Sequence, residues 1–208
     1  MSNFLPDMLL EISKSLENMQ LPDPCLLRYY QDEADRILWL EGEVREDLFE
    51  ISKHIMHYNR MDKDISVEDR KPIKIFINSP GGLLEETLAF VKLVEMSKTP
   101  VWTVNMAGAH SAAGLILMSG HRRFSMPNTS CVIHSGSGTV GGTYEQTAEQ
   151  MKNYDKLIEK SRDFILSKTK IDKKRFNKNK SKEWYVYTEE MLEYGIIDEV
   201  VTDLDILF

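Results

Sequence analysis

Three short segments carry the groups that acyl-transfer chemistry needs. Ser111 lies in AGAHSAAG (107–114), where small residues let the chain turn sharply and leave the hydroxyl unshielded. His134 closes SCVIH (130–134), 23 residues further on. INSPGG (77–82) ends in Gly81 and Gly82, which let backbone N–H groups approach a ligand at the start of a helix with positive potential. A hydroxyl, an imidazole and paired amide donors are the nucleophile, base and oxyanion site of serine acyl transfer, recognised by role and not by chain order. Each piece also has an ordinary use. A serine before a helix caps it, a histidine at a strand end is a surface or capping residue, and SPGG is a tight turn cornered by Pro80. His110 and His121 compete for the role of base. His110 adjoins Ser111, so its side chain points elsewhere on a helix start, and His121 falls in the GHRR turn (120–123), which is expected to be exposed.

The elements that must hold these residues alternate between strand and helix. Strands are read at Arg36–Glu41, 74–78 (KIFIN), 101–105 (VWTVN), around 123–134 (RRFSM and SCVIH) and in IIDEVV near the end. Helices are read at Val44–Tyr58, Leu83–Met96, Ser111–Met118, Thr143–Lys168 and Thr188–Tyr194, the last stopped by Gly195. Short apolar strands alternating with helices mean βαβ units and a mostly parallel sheet, with functional loops at the carboxyl ends of the strands. SPGG, MAGAHS and HSGSG all stand at such ends. The charged loop at 62–71 and the Lys/Asn-rich 173–182 segment read as solvated turns. At the amino end, Leu5, Met8, Leu9, Ile12, Leu16 and Met19 are spaced for an amphipathic helix, and LPDP (21–24) breaks it. The organisation expected is an appendage at 1–24 followed by a main domain at 25–208.

Composition limits the function classes. The 208 residues are 42% hydrophobic and 28% charged, an ordinary globular balance, with a net charge of −7. An acidic chain does not suit nucleic acid as its main ligand, because phosphate neutralisation needs clustered Lys and Arg. No apolar run approaches the roughly 18 residues of a membrane span, and the first residues do not read as a signal peptide. Cys25 and Cys131 lie far apart and form no metal spacing. Each is expected to be a buried small hydrophobe in a reducing, cytoplasmic compartment.

From about residue 36 onward the chain resembles the Clp peptidase family, the ATP-dependent caseinolytic protease proteolytic subunits. The stretches that carry the resemblance are WLEGEV (39–44), IFINSPGG (75–82), AGAHSAAG, RRFSMPNTSCVIH (122–134), VGGTYEQTAEQ (140–150) and YTEEMLEYGIIDEV (187–200). The resemblance implies an α/β ClpP/crotonase-like fold of repeated ββα units, with helix 143–168 protruding as a handle. It implies serine endopeptidase activity on peptides and unfolded proteins, with no cofactor or metal. It also implies homo-oligomeric stacked rings and an AAA+ unfoldase partner. By position, Ser111 matches the nucleophile, His134 the base, and Gly81 with the Ala112 amide the oxyanion hole. Counting back from the TEE…EYG motif puts the third residue at Glu183, where the family has Asp; an exposed surface charge is the alternative, with Asp172 in reserve. The chain departs from the family in Ala112 for Met, in HSGSGTVGG after the base, and at its amino end. A catalytically silent ring subunit and a crotonase-type acyl-CoA enzyme are the competing readings.

Overall fold

Ile73, Ile75 and Ile77 are all fully buried along one strand, and Phe76 between them is buried on the opposite face. A strand covered on both faces reads as a continuous apolar run, the mark of a parallel sheet between helical layers. In the computed structural model, which describes residues 23–179 and 181–208, this strand is β2 (Ile73–Gly82). It lies between β1 (Ile37–Val44) and β3 (Val101–His110), parallel to both. Beyond β3 come β4 (Arg122–Ser125) and the short β7 (Glu199–Val200), again parallel. The far end of β3 pairs instead with β5 (Ser130–Ile133), and β6 (Trp184–Tyr187) adds antiparallel to β5. These are the seven strands of the sheet among the described residues.

One face of the sheet carries the main core. Ile75 and Ile77 join Leu48 and Ile55 from α2 (Asp47–Met61), Phe90 and Val94 from α3 (Leu84–Met96), Ile116 from α4 (Ala112–Ser119) and Phe164 from α5 (Tyr144–Lys168). Every residue of α4 is buried. Its Gly114 packs so closely that a Cβ there would lie 2.9 Å from Cys131 Sγ on β5. The opposite face holds Phe76, Val104 and Phe124 under Leu207. Helix α5 begins at a reciprocal capping box between Thr143 and Gln146, which fixes its start next to the loop after β5.

The structure lengthens and adds to the elements read from sequence. Strands β2 and β3 run on through SPGG and AGAH, because Glu43 and Val44 pair with Gly81 and Gly82, and Ser79 pairs with Ala109. The 173–182 segment is not simply a turn. Lys173–Asn179 forms α6, with Phe176 buried beneath it. WYVY forms β6, and Thr188–Glu193 follows it directly as α7.

The chain divides into two compact units, residues 1–35 and 36–208. In the first, Pro24–Ala34 forms α1, so the DP of LPDP opens a helix. The Asp23 side chain accepts from the Cys25 N–H, and Pro24 takes the first helical position, where its missing donor costs nothing. The amphipathic helix read at 4–19 lies outside the described residues. Cys131 is buried as expected, and desolvation pushes its thiol up to about 12; Cys25 is exposed, against expectation, because it sits in the first turn of α1.

Candidate active site

Register brings the reactive residues together. On the parallel β3–β5 pair, His110 stands opposite Val132, and the Ser111 N–H donates to the Val132 carbonyl at 2.8 Å. Ser111 therefore leaves the end of β3 alongside the residues that leave β5. His134 Nε2 lies 2.6 Å from Ser111 Oγ, within hydrogen-bonding distance.

Ser111 turns the chain from β3 into α4 with φ 54° and ψ −122°. A non-glycine residue at positive φ costs on the order of 1–3 kcal/mol and persists only where its surroundings enforce it. Here two hydrogen bonds enforce it: the one from the Ser111 amide, and one from the Gly114 N–H to the Ser111 carbonyl at 3.0 Å. The serine hydroxyl makes no capping bond to α4, so the ordinary use of a serine before a helix does not describe it.

Gly81 closes the other side. Its φ is +99°, and a Cβ there would come within 2.6 Å of the His110 carbonyl and 2.7 Å of Ser111 Cβ. Only glycine fits. The position also lies 3.0 Å from the Ala112 nitrogen. Ala112 is the first residue of α4, so its N–H is one of the donors that helix geometry leaves without an intrahelical acceptor. The Gly81 N–H donates to Ser79 Oγ at 3.1 Å.

Gly81, Ser111, Ala112 and His134 line one cleft of about 750 Å³. Leu115 and Met118 of α4 and Leu157, Ile158 and Ile165 of α5 supply its apolar wall. Tyr154 leans over it from α5 and packs against Gly136 in the HSGSG loop; burial pushes its phenol above the usual value.

Glu183 is exposed and lines the same cleft, just before β6. Its carboxylate accepts from the Tyr185 hydroxyl at 3.3 Å, and no hydrogen bond joins it to His134. The negative charge of Glu183 raises the Tyr185 phenol and works against the burial that lowers His110. His110 itself is turned away from Ser111, with Nε2 2.9 Å from Ser130 Oγ and its ring edge-on to Tyr185. His121 accepts from the Val101 N–H at the opposite end of β3, and burial lowers it. Asp172 is not a cleft residue; its carboxylate accepts from the Arg175 N–H at 2.7 Å and starts α6. Sequence reasoning missed Tyr154, Ser79 and Tyr185. The aromatic, β-branched run WYVY carried enough strand propensity to have placed the last of them. Among the described residues, no group of three or more His, Cys, Asp or Glu side chains is placed to hold a metal ion.

Known proteins match the chain over most of its length. Residues 29–203 match the Clp protease family. The chain belongs to that family. It is a Clp-type serine protease, an endopeptidase by class. The ATP-dependent Clp protease proteolytic subunit 2 of Treponema denticola is 29% identical over 192 residues, covering 91% of this chain and 92% of that protein. The ATP-dependent Clp protease proteolytic subunit of Streptococcus mutans is 31% identical over 175 residues, covering 80% and 85%. The solved structure of a ClpP1 point mutant from Listeria monocytogenes matches with a TM-score of 0.74 at 23% identity, over 87% of this chain and 99% of that one, and shows the shared Clp protease fold.

Proposed function

We propose that Ser111 is the nucleophile and His134 the general base of this Clp protease, hydrolysing peptide bonds through an acyl-enzyme. The 2.6 Å approach of Ser111 Oγ to His134 Nε2 supports this most directly. Neutral His134 takes the hydroxyl proton as the oxygen attacks the scissile carbonyl, then returns it to the leaving amine. Water repeats the sequence on the ester. The Ala112 N–H, at the start of α4, receives the developing oxyanion. The Gly81 N–H joins it after exchanging its bond to Ser79 for one to the substrate. Glu183 serves as the third residue by rotating from Tyr185 to the free nitrogen of His134, which orients the ring and stabilises the imidazolium.

The working form is a homo-oligomer of stacked rings enclosing a chamber, with α5 as the handle between rings, and a Clp ATPase delivers unfolded protein to it. The relatives named as ATP-dependent subunits support this reading, as does the apolar and aromatic surface left exposed on α5 by Tyr144 and Met151. A cytoplasmic location accords with the absence, among the described residues, of any helix long and apolar enough to cross a membrane. The test is hydrolysis of a fluorogenic peptide with an apolar residue before the scissile bond. Wild type is expected to cleave it and Ser111→Ala to lose all turnover while keeping its assembly; residual hydrolysis by the variant would assign the chemistry to another group.

A further inference from the structure

The walls of the cleft carry four carboxylates and, among the described residues, no Lys or Arg. Glu85 and Glu86 stand in the first turn of α3, Glu43 at the end of β1 and Glu183 before β6. They approach from three separate elements, so no single helix end or loop accounts for them. Arg45 offsets Glu43 through an exposed ion pair at 2.9 Å. The amino ends of α3 and α4 together offset about one further charge. A net charge of roughly −2 is left in a concave site, where low-dielectric walls focus the field on an incoming chain. Among the described residues, the Glu85 and Glu86 carboxylates have no ion-pair or hydrogen-bond partner, so they remain available to a ligand. They follow Gly82 and Leu84, just after the point where β2 delivers Gly81 to the site.

We infer that this protease selects peptides carrying Lys or Arg close to the scissile bond, with Glu85 and Glu86 as the residues that set the preference. The inference rests on the cleft being the acyl-transfer site proposed above. The apolar wall of Leu115 and Ile158 receives a side chain, and the acidic rim receives the cation beside it. A peptide with Glu or Asp at that place meets like charge and loses affinity in both the ground and the transition state. The preference therefore enters through KM.

The test compares internally quenched peptides that differ only in the residues flanking one Leu: Lys, Gln or Glu. At low salt, kcat/KM is expected to fall in the order Lys, Gln, Glu, with on the order of 10-fold between the extremes. The span should collapse in about 1 M salt, where the Debye length is about 3 Å. In the Glu85→Gln, Glu86→Gln double variant the Lys and Glu peptides should converge. Both side chains reach solvent, and the salt series on wild type tests the same field without any substitution. Labelling by a small neutral fluorophosphonate is measured alongside. Equal kcat/KM for the three peptides with Ser111 labelled overturns the charge selection and leaves the acyl-transfer site standing. No hydrolysis and no labelling overturns the site itself, and the selection with it.

Discussion

The Glu183 carboxylate accepts its hydrogen bond from the Tyr185 hydroxyl, at 3.3 Å, although it shares a cleft with His134. An acid that acts through His134 must bring a carboxylate oxygen to that ring as well, against the pull of the Tyr185 hydroxyl. Glu183→Gln keeps the shape but favours the wrong imidazole tautomer, so turnover is expected to drop by on the order of 10²–10⁴-fold with little change in KM. Tyr185→Phe removes only the competing donor and is expected to retain or raise turnover. Steady-state kinetics on both variants check this. Equal rates for wild type and Glu183→Gln would leave Ser111 and His134 working as a dyad.

Gly81 has no room for a side chain. Gly81→Ala would drive a methyl group into the His110 carbonyl and Ser111 Cβ and would force an alanine to φ +99°. The strain falls on the serine turn and the oxyanion donors together. The expected result is a loss of at least about 10²-fold in kcat, measured on a peptide ester, with the protein still folded by circular dichroism. Near-wild-type kcat would mean the β2 end does not shape the site.

The order in which these parts could be read from the chain follows from how local each signal is. The strand–helix alternation, the capping box of α5 and the three strand-end segments are local patterns, and SPGG, the serine turn and His134 do meet in one cleft. What stayed hidden depends on pairing. SPGG looked like the end of a strand because glycine and proline disfavour sheet. It stays in the sheet because Gly81 and Gly82 pair with Glu43 and Val44 across β1. α6 was masked by its lysines, since a single buried Phe176 is too little for a periodicity to show. The place of Glu183 was legible as a position, whereas its partner depends on β6 pairing antiparallel with β5, which no local pattern contains.

Asp62 ties the start of β1 to the end of α2. Its two oxygens take the Arg36 guanidinium at 2.6 Å each, and the Thr99 hydroxyl donates at 2.9 Å. The side chain is 1% exposed. The Arg36 hydrogen bonds hold the carboxyl below its ordinary value of 3.8. A depressed carboxyl contributes stability that is complete above the unfolded-state value and is lost as pH falls through the folded one. Thermal unfolding should therefore show a stability loss setting in below about pH 4. Asp62→Asn should cost about 3 kcal/mol at neutral pH, because it leaves Arg36 without its counter-charge. It should also flatten that acid limb. Denaturant titration at two pH values checks both parts, and a variant as acid-sensitive as wild type would place the titration elsewhere.

Helix α5 runs 25 residues from Tyr144 to Lys168, yet only Phe164 and Ile165, near its carboxyl end, are buried. Its first four turns thus present Tyr144 and Met151 without a covering layer from residues 36–208. An oligomer that covers them is the expected stable species. Met151→Glu should weaken it, as a charge placed in an apolar contact. Sedimentation at micromolar concentration reads the result, and a monodisperse wild-type monomer would contradict the handle role.

The central claim is that Ser111 is activated by His134, and covalent labelling tests it with the least dependence on substrate, acid or assembly. The protein is incubated with a fluorophosphonate, digested, and the modified residue located by mass spectrometry. The expected result is a single adduct on Ser111 in wild type, its formation at least about 10²-fold slower in His134→Ala and absent in Ser111→Ala. An unlabelled Ser111 in folded wild-type protein, or labelling that proceeds equally fast without His134, would contradict it.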